Sequence, residues 1–259
     1  MEDVTMVQLD GETPQKRRSV VQSVTRAFDV LNQLRDAAMP MSVQEIAQSC
    51  GLDRTVVHRL LRSLLQQSMV VEERGLFRLG PASILLADRY LDDLSVRRLA
   101  LPYMVELQAK DIAGRPWTAT LSIAVGDVSA VIERIWTPQT PLDLVLSAGD
   151  SFPVDTTATG RSMLAYYPPE QLVETIGVER SEALGPVLEG VRTANGIGMS
   201  KGEAVPGVEA IAAVILSRRQ VPVASLSVSG VDLGDQMSPT SPLASRLRRA
   251  AGAIQQMIP

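Results

Sequence analysis

The N-terminal third of the chain carries a succession of periodic segments that admits few folds. Apolar residues recur at helical spacing over residues 23–34, and a second, short helix is predicted from Ser42, where Glu45 three positions later completes a capping-box pattern. Gly51 then supplies the left-handed residue of a tight turn, and Asp53 is a good N-cap for a third, longer helix. The predicted order is helix, short helix, tight turn and longer helix.

The third helix is predicted to have one packing face. Its apolar residues recur at i, i+3, i+4 and i+7 and are Val57, Leu60, Leu61 and Leu64. Two short β-like runs follow, at residues 69–72 and 76–79, and they predict a hairpin. A hairpin behind such a pair of helices indicates a winged helix-turn-helix, whose recognition helix enters the major groove of DNA.

The charge of the chain is unevenly divided, which bears on DNA binding. The whole sequence has a formal net charge of −4, which is unexpected for a protein that binds DNA. Residues 16–80, however, hold ten Lys and Arg and six Asp and Glu, whereas residues 81–259 hold fifteen and nineteen. The basic excess therefore coincides with the predicted winged domain.

The scarcity of histidine and cysteine limits the catalytic and metal-binding sites that this chain can form. His58 is the single histidine of the sequence and Cys50 is its single cysteine. A Ser-His-Asp or Cys-His nucleophile needs a histidine base, and the common zinc sites need several His or Cys ligands. We therefore expect no enzyme, no metal site and no cofactor. One alternative remains open: a small-molecule enzyme with an accessory DNA-binding domain, in which Glu203 or Asp155 acts as the base.

The sequence shows neither the pattern of a secretory signal nor that of a membrane span. The first 15 residues carry four acidic residues and no apolar run, which is the opposite of a signal peptide. No stretch reaches the roughly 18 to 20 apolar residues that a membrane helix needs. A single cysteine suits a reducing compartment. We expect a cytoplasmic protein with no membrane partner.

An unusually apolar helical segment follows the hairpin. It extends over residues 83–112 in two pieces that meet near Ser95. The first piece carries Leu85, Leu86, Tyr90 and Leu94. Such a stripe needs a partner surface. That surface belongs either to a second subunit, as in proteins that read paired half-sites, or to the domain that follows.

Beyond Gly114 the period of the pattern changes from 3.6 to 2, which indicates strands. Strands are expected at residues 117–125, 128–136, 142–146, 211–216 and 223–231. Helices are expected at residues 159–167, 169–177 and 242–257. This domain is therefore predicted to be α+β, with a largely antiparallel sheet covered by helices. Four parts result, which are a flexible basic arm (1–19), the winged helix-turn-helix (20–80), a linker helix (81–95) and the larger domain (96–259).

Two motifs, in the expected order, resemble the IclR family of bacterial transcriptional regulators. The first consists of Val57-His58-Arg59-Leu60-Leu61, Leu64 and Phe77-Arg78-Leu79-Gly80. The second consists of Gly196, Ser200, Glu203, Ala210, Ile211, Ala212 and Ile215. The chain departs from the family pattern at Asp53, Leu216 and Ser217. The resemblance covers almost the whole chain, and it implies a GAF-like or PAS-like effector-binding and oligomerisation domain behind the winged helix-turn-helix.

Candidate DNA-contacting residues lie on several elements of the winged domain. The N-terminal part of a recognition helix lies nearest the base edges, which selects Arg54, Thr55, His58 and Arg59. Phosphate and minor-groove contacts are expected from Arg62, Ser42, Gln44, Arg74 and Arg78, and from Lys16-Arg17-Arg18 on the arm. Two alternatives remain open: the arginines solvate an exposed helix face, and His58 has a structural role beside the turn.

The resemblance also implies a small-molecule pocket on one face of the sheet. Carried over position by position, its lining is Leu144, Phe152, Ala158, Thr159, Gly160, Ser200, Ala210, Ser227 and Ser229. The sequence supports part of this set, because Ser225, Ser227 and Ser229 alternate with apolar residues and place three hydroxyls on one face of a strand. A half-exposed strand that faces water has the same alternation. Small organic acids are the effectors that the resemblance implies.

Two further motifs are interpreted as structural. Gly196-Ile197-Gly198 is similar to a nucleotide loop, but Pro206 and Gly207 come too soon for a following helix, so we interpret it as turn chemistry. The last predicted helix carries a basic cluster, Arg246, Arg248 and Arg249. We interpret that cluster as a solvated face, or as a partner of the helix dipole, rather than as a second nucleic-acid surface.

The sequence thus predicts a DNA-binding transcriptional regulator. We expect a homodimer, or its assembly into a tetramer, that binds a palindromic double-stranded operator and represses until a small organic acid binds. A ligand-dependent activator is the alternative within this class. Alternatives from other classes are the enzyme described above and a module whose winged domain binds another protein.

Overall fold

The architecture is that of a computed structural model, which describes residues 20–108, 117–136, 140 and 146–258. The chain divides into two compact units, of which the first ends at Arg89 and the second begins at Tyr90. The expected basic arm lies outside the described residues, as do residues 142–145 of an expected strand. None of the described helices combines the length and the apolarity that crossing a bilayer requires.

The N-terminal unit is a winged helix-turn-helix, as the sequence predicts. Its elements are α1 (Gln22–Asp36), β1 (Met41–Ser42), α2 (Val43–Cys50), α3 (Arg54–Gln66), β2 (Val70–Glu73) and β3 (Leu76–Leu79). The strands form one antiparallel sheet in the order β1-β3-β2, in which the unpredicted β1 pairs Met41 with Phe77. Its core joins one face of each helix to the hairpin and includes Val30, Ile46, Val57, Leu61 and Phe77.

Local capping explains where α2 and α3 begin. Glu45 N donates to Ser42 Oγ at 3.3 Å and Ser42 N donates to Glu45 Oε2 at 2.7 Å, which completes the predicted capping box. Gly51 ends α2 in the left-handed conformation, with φ of 63°. Thr55 N then donates to Asp53 Oδ1 at 2.7 Å at the start of α3. These contacts fix the short connection between the two helices.

The predicted linker helix crosses the boundary between the units. It is α4 (Ala82–Asp93), and α5 (Ser95–Gln108) follows it after Leu94. No residue of α4 is buried, and four large apolar side chains are 54 to 72% exposed, namely Ile84, Leu85, Leu86 and Tyr90. Of the stripe that the sequence identifies, Leu94 packs against buried residues of the C-terminal unit, whereas Leu85, Leu86 and Tyr90 are exposed.

The C-terminal unit has the predicted α+β fold. After α5 its elements are β4 (Trp117–Val125), β5 (Val128–Trp136), β6 (Ser151–Pro153), α6 (Ala158–Leu164), α7 (Pro169–Ile176), α8 (Val178–Thr193), β7 (Ile197–Lys201), β8 (Glu209–Leu216), β9 (Pro222–Gly230) and α9 (Pro242–Met257). The strands form one antiparallel sheet in the order β6-β5-β4-β9-β8-β7. The hairpin of β4 and β5 begins and ends where the sequence predicts it.

The two faces of this sheet differ because successive side chains of a strand point to opposite sides. One face packs against α5 and α9 in the main core, to which β4 and β9 contribute Trp117, Ala119, Leu121, Ala224, Leu226 and Val228. The opposite face of the same strands carries Thr118, Thr120, Ser122, Ser225, Ser227 and Ser229. Helix α6 packs on that polar face, where Ser162 Oγ lies 2.7 Å from Ser225 Oγ.

Helix α8 has no counterpart in the sequence prediction. Gly185, Pro186 and Gly190 lie inside it and interrupt the periodicity by which a helix is recognised. It forms because Leu188 and Val191 pack into a separate cluster with residues of α6 and α7. Tertiary packing outweighs the low local propensity of this segment.

The interpretation of Gly196-Ile197-Gly198 as turn chemistry is correct only for its first residue. Gly196 has a positive φ of 81°, but β7 begins at Ile197 and contains Gly198. A Cβ on Gly198 would lie 2.3 Å from Ala158 O. The glycine therefore permits the close approach of α6 to the strand and does not form a turn.

Candidate functional sites

The predicted recognition residues share the exposed side of α3. Val57 and Leu61 hold the opposite side of the helix in the core. The exposed residues are Arg54, Thr55, His58, Arg59 and Arg62. The structure thus brings all five to the solvent-facing surface of one helix.

Five predicted residues border one shallow depression of the N-terminal unit. It is lined by Ser42, Val43, Gln44, Arg54, Thr55, His58 and Gly75. Gly75 belongs to the turn of the β2–β3 hairpin, in which Arg74 and Gly75 have positive φ values of 54° and 79°. The depression therefore connects the start of α2, the start of α3 and the wing. His58, for which the sequence left a structural role open, has an exposed side chain that faces it.

The wing arginines differ in their surroundings. Arg78 Nη2 donates to Glu73 Oε1 at 2.9 Å, and these side chains are 54 and 71% exposed. An ion pair of this exposure stabilises a protein weakly, so a phosphate can compete with Glu73 for Arg78. Arg74 lies at the tip of the hairpin. The third basic element, Lys16-Arg17-Arg18, lies outside the described residues.

Two carboxylates at the helix starts place negative charge beside this surface. The backbone hydrogen bond from Ser42 lowers the pKa of Glu45, and that from Thr55 lowers the pKa of Asp53. An ionised carboxylate at a helix N-terminus stabilises the helix. Asp53, one of the departures from the family pattern, is therefore an N-cap that also repels nearby phosphate.

A pocket opens on the polar face of the C-terminal sheet. Its volume is about 80 Å³, and since a water molecule needs roughly 10 to 15 Å³ of such space, a small organic molecule fits. The walls come from all six strands, from the start of α6 and from the connection between β7 and β8. The pocket therefore lies inside one unit of the chain.

Seven of the nine predicted effector residues line this pocket, namely Phe152, Ala158, Thr159, Ser200, Ala210, Ser227 and Ser229. Gly160 lies behind the wall, where a Cβ would come within 1.9 Å of Val154 O. Leu144 lies outside the described residues. The predicted lining did not include Thr120, Ser122, Ser129, Val131, Leu146, Thr157, Ala204, Val205 and Val208. The available signal was in β4, where Thr118, Thr120 and Ser122 alternate with apolar residues as the serines of β9 do.

Buried hydroxyl groups pair across the wall of the pocket. Thr120 Oγ1 and Ser227 Oγ are 2.6 Å apart on β4 and β9, and Ser129 Oγ and Thr159 Oγ1 are 2.8 Å apart. Ser227 is 3% exposed, so the alternative that β9 faces bulk water is wrong. A hydroxyl has one proton and two lone pairs, so each paired hydroxyl keeps capacity for a further hydrogen bond to a bound molecule.

Charged side chains lie near the pocket without lining it: none of the described lining residues is charged. Burial would raise the pKa of Glu203, but hydrogen bonds from Arg161 and from the Lys201 backbone lower it. Asp155 pairs with Arg180 at 3.2 Å. Both carboxylates considered as an enzyme's base therefore lie in ion pairs outside the pocket. Over the described ranges, no group of three or more His, Cys, Asp or Glu is placed to hold a metal ion.

The basic cluster on α9 is partly structural. Arg248 Nη1 donates to Pro239 O at 3.0 Å and to Ala194 O at 3.3 Å, which ties α9 to two neighbouring loops. Arg246 and Arg249 border a groove beside α5. The interpretation of the cluster as a solvated face is therefore wrong for Arg248.

Family models match both units of the chain. The model described as bacterial transcriptional regulator IclR C-terminal matches residues 88–256. The model described as IclR helix-turn-helix domain matches residues 23–74. The two matches include the recognition helix and the first strand of the wing in one unit and the whole pocket in the other.

Curated relatives match over most of their length. An HTH-type transcriptional regulator of Mycobacterium tuberculosis is 28% identical over 233 residues, which are 85% of this chain and 86% of that protein. The transcriptional repressor IclR of Escherichia coli is 23% identical over 227 residues, which are 81% of this chain and 80% of the repressor. Both alignments are long enough to extend into the two units.

Solved structures share the fold. An IclR family transcriptional regulator from Brucella abortus superposes with a TM-score of 0.78 at 19% identity, over 97% of this chain and 98% of that one. An IclR homolog from Microbacterium hydrocarbonoxydans, complexed with 4-hydroxybenzoate, superposes with a TM-score of 0.71 at 22% identity, over 90% of this chain and 98% of that one. At these identities the likeness extends to the fold alone.

Proposed function

The chain belongs to the IclR family of bacterial transcriptional regulators, and from this premise we propose that its N-terminal unit binds operator DNA under the control of a small organic acid in its C-terminal pocket. The exposed basic face of α3 beside the wing is the observation that carries the proposal. The family consists of regulators, in agreement with the expectation that the chain is not an enzyme. A cytoplasmic location belongs to the same proposal, because operator DNA lies there.

The positions of the arginines support different roles on DNA. Arg54 and Arg59 lie on the N-terminal half of α3, which approaches base edges in helix-turn-helix proteins. An arginine that grips guanine with two hydrogen bonds contributes about 1 to 3 kcal/mol of discrimination. Arg62 lies further along the helix and Arg78 on the wing, where phosphates are the nearer targets.

The first experiment measures the fluorescence anisotropy of labelled DNA from the region upstream of the gene, with unrelated competitor DNA present. Arg59→Ala is expected to abolish competitor-resistant binding. Arg35→Ala is the matched control, because Arg35 lies on α1 of the same unit and contacts Asn32 and Asp36. Unchanged operator affinity in Arg59→Ala would overturn the assignment of α3 as the recognition helix.

A homodimer is part of the proposal, with a tetramer as its further assembly. The exposed apolar residues of α4 support it, because contiguous exposed apolar surface often marks a site of protein–protein contact. Light scattering is expected to give at least twice the chain mass of 27.9 kDa. Leu85→Lys is expected to shift the protein towards that single-chain mass.

In this proposal the protein represses transcription when no ligand is bound, and binding of the ligand relieves the repression. The resemblance implies small organic acids as ligands, and 4-hydroxybenzoate is the first to test because a structural neighbour is complexed with it. Hydroxyls of the pocket wall are suitable donors to a carboxylate. Release of labelled operator on titration supports repression, whereas tighter binding identifies a ligand-dependent activator. A ligand with equal affinity for both arrangements of the protein shifts nothing.

A further inference from the structure

One wall of the pocket is a short segment between β7 and β8 that we call the flap, residues 202–208. Ala204, Val205 and Val208 of the flap line the pocket. Its two ends are joined, since Gly202 N donates to Val208 O at 2.9 Å. Gly202 and Gly207 have positive φ values of 84° and 77°. The flap is therefore a closed loop that stands on a fixed base and covers one side of the pocket.

A single arginine of α6 holds the flap. Arg161 Nη1 donates to Glu203 Oε1 at 2.8 Å and to Met199 O at 2.9 Å, and Arg161 Nε donates to Asp155 O at 2.9 Å. The carbonyl contacts anchor the guanidinium to β7 and to the turn before α6. Arg161 is 13% exposed, whereas Glu203 is 41% exposed. The guanidinium thus belongs to the body of the unit, and the carboxylate is the element that can leave.

Glu203 is the polar side chain by which the flap is attached beyond its base. The other residues of the flap are Ala204, Val205, Pro206, Gly207 and Val208, with Gly202 at its start, and none has a polar side chain. Glu203 also accepts a hydrogen bond from Lys201 N. Pro206 and Gly207 are exposed, so the tip of the flap has no buried contact to lose when it lifts.

The geometry points to a gate: we propose that the flap is the entrance to the effector pocket and that the Arg161–Glu203 ion pair is its latch. The proposal rests on the function proposed above for that pocket. A partly exposed ion pair is weak enough to break and re-form by thermal motion. Breaking it uncovers the wall formed by Ala204, Val205 and Val208, so the stability of the latch sets how often a ligand enters or leaves.

A thiol placed in the pocket tests the gate without knowledge of the effector. The parent protein for this test is the full chain with two substitutions. Cys50→Ala removes the native thiol, and Ser200→Cys places a new thiol in the pocket wall, at a residue that is 5% exposed. The rate of its modification by methyl methanethiosulfonate, a small neutral reagent, reports opening. Adding Glu203→Gln is expected to raise this rate about three- to tenfold, because the charge of the latch is lost.

The matched control is Glu189→Gln, which removes a surface ion pair of 2.7 Å with Arg192 on α8 and is expected to leave the rate unchanged. Raising the salt concentration from roughly 0.05 to 1 M is expected to speed modification of the parent but not of the Glu203→Gln variant, since salt screens the ion pair. A role of Glu203 through hydrogen bonding alone, without its charge, would not produce this difference.

Two outcomes would overturn the gate. Equal rates in the parent and in Glu203→Gln would show that the ion pair does not limit access, and a parent rate equal to that of an unstructured thiol would show that the pocket is open without it. Ser229→Cys repeats the measurement from β9 if Ser200→Cys fails to fold. Operator binding is measured separately on the same variants, so its failure leaves the labelling result intact and concerns the proposed function alone.

Discussion

Thr120 Oγ1 and Ser227 Oγ lie 2.6 Å apart, on strands that are neighbours in the sheet but more than a hundred residues apart in sequence. Thr120→Val removes one hydroxyl and leaves Ser227 without this partner. A buried polar group that loses its partner costs about 1 to 3 kcal/mol, so we expect the free energy of unfolding to fall by roughly 1 to 2 kcal/mol. The double variant with Ser227→Ala is expected to lose less than the sum of the single variants. Urea denaturation of all four proteins measures this coupling, and additive losses would contradict the pairing.

Gly160→Ala is expected to destabilise the C-terminal unit by more than about 2 kcal/mol. The added Cβ would lie 1.9 Å from Val154 O and 2.7 Å from Thr157 Oγ1, so the turn beside the pocket must move. Gly190→Ala on α8 is the control, because nothing lies within 4 Å of its Cβ. There the exchange is expected to stabilise the protein by about 0.5 to 1 kcal/mol. Thermal unfolding of both variants distinguishes the two effects, and a harmless Gly160→Ala would contradict the close approach.

Glu209 is expected to make the C-terminal unit sensitive to acid. Burial would raise the pKa of this carboxyl group, but Lys201 at 3.1 Å and the Leu233 amide at 2.7 Å lower it below its ordinary value. Because its pKa is lower in the folded than in the unfolded chain, ionised Glu209 stabilises the fold above the ordinary carboxyl pKa of about 4.3. That contribution is lost as the pH falls below this value through the folded-state pKa.

Glu209→Gln is therefore expected to flatten the loss of stability between about pH 5 and pH 3. Urea denaturation at several pH values measures the slope, with Glu182→Gln on the exposed side of α8 as the control. Equal slopes in the wild type and in Glu209→Gln would show that other carboxylates carry the acid response.

Arg62→Ala and Arg54→Ala are expected to weaken DNA binding in different ways. Loss of a phosphate contact at Arg62 reduces affinity for operator and random DNA by the same factor and lowers the slope of log affinity against log salt by about 0.9. Loss of a base contact at Arg54 costs about 1 to 3 kcal/mol on the operator and spares random DNA. Anisotropy titrations across a salt series separate these patterns. A loss confined to the operator in Arg62→Ala would reassign that residue to the base edges.

The N-terminal unit and the first hairpin of the sheet were predictable because local signals specify them. The capping box of Ser42 and Glu45 sets the start of α2, and Asp53 sets that of α3. Gly126-Asp127 fixes the register of β4 and β5 through a two-residue turn. Each of these signals acts over a few residues, so a single sequence contains it.

The rest of the site depends on pairings that no local signal encodes. Only the strand order β4-β9 brings Thr120 opposite Ser227, and only the packing of α6 beside β7 brings Arg161 to Glu203 across 42 positions. Gly198 illustrates the same limit, because a glycine is needed there for the close approach of α6 and not for a turn. The predicted set therefore lacks nine of the sixteen residues of the pocket wall, although threonine and serine alternate with apolar residues in β4 as they do in β9.

The pocket is walled mainly by small hydroxyl-bearing and small apolar side chains, and this has an evolutionary consequence. Exchange of a threonine for valine, or of a serine for alanine or cysteine, replaces a hydrogen-bonding group while changing the volume little. Such an exchange leaves the charge of the protein, the register of its strands and the surface of α3 as they were. Under the proposed function, a lineage can therefore change the compound that it senses one residue at a time and continue to control the same genes.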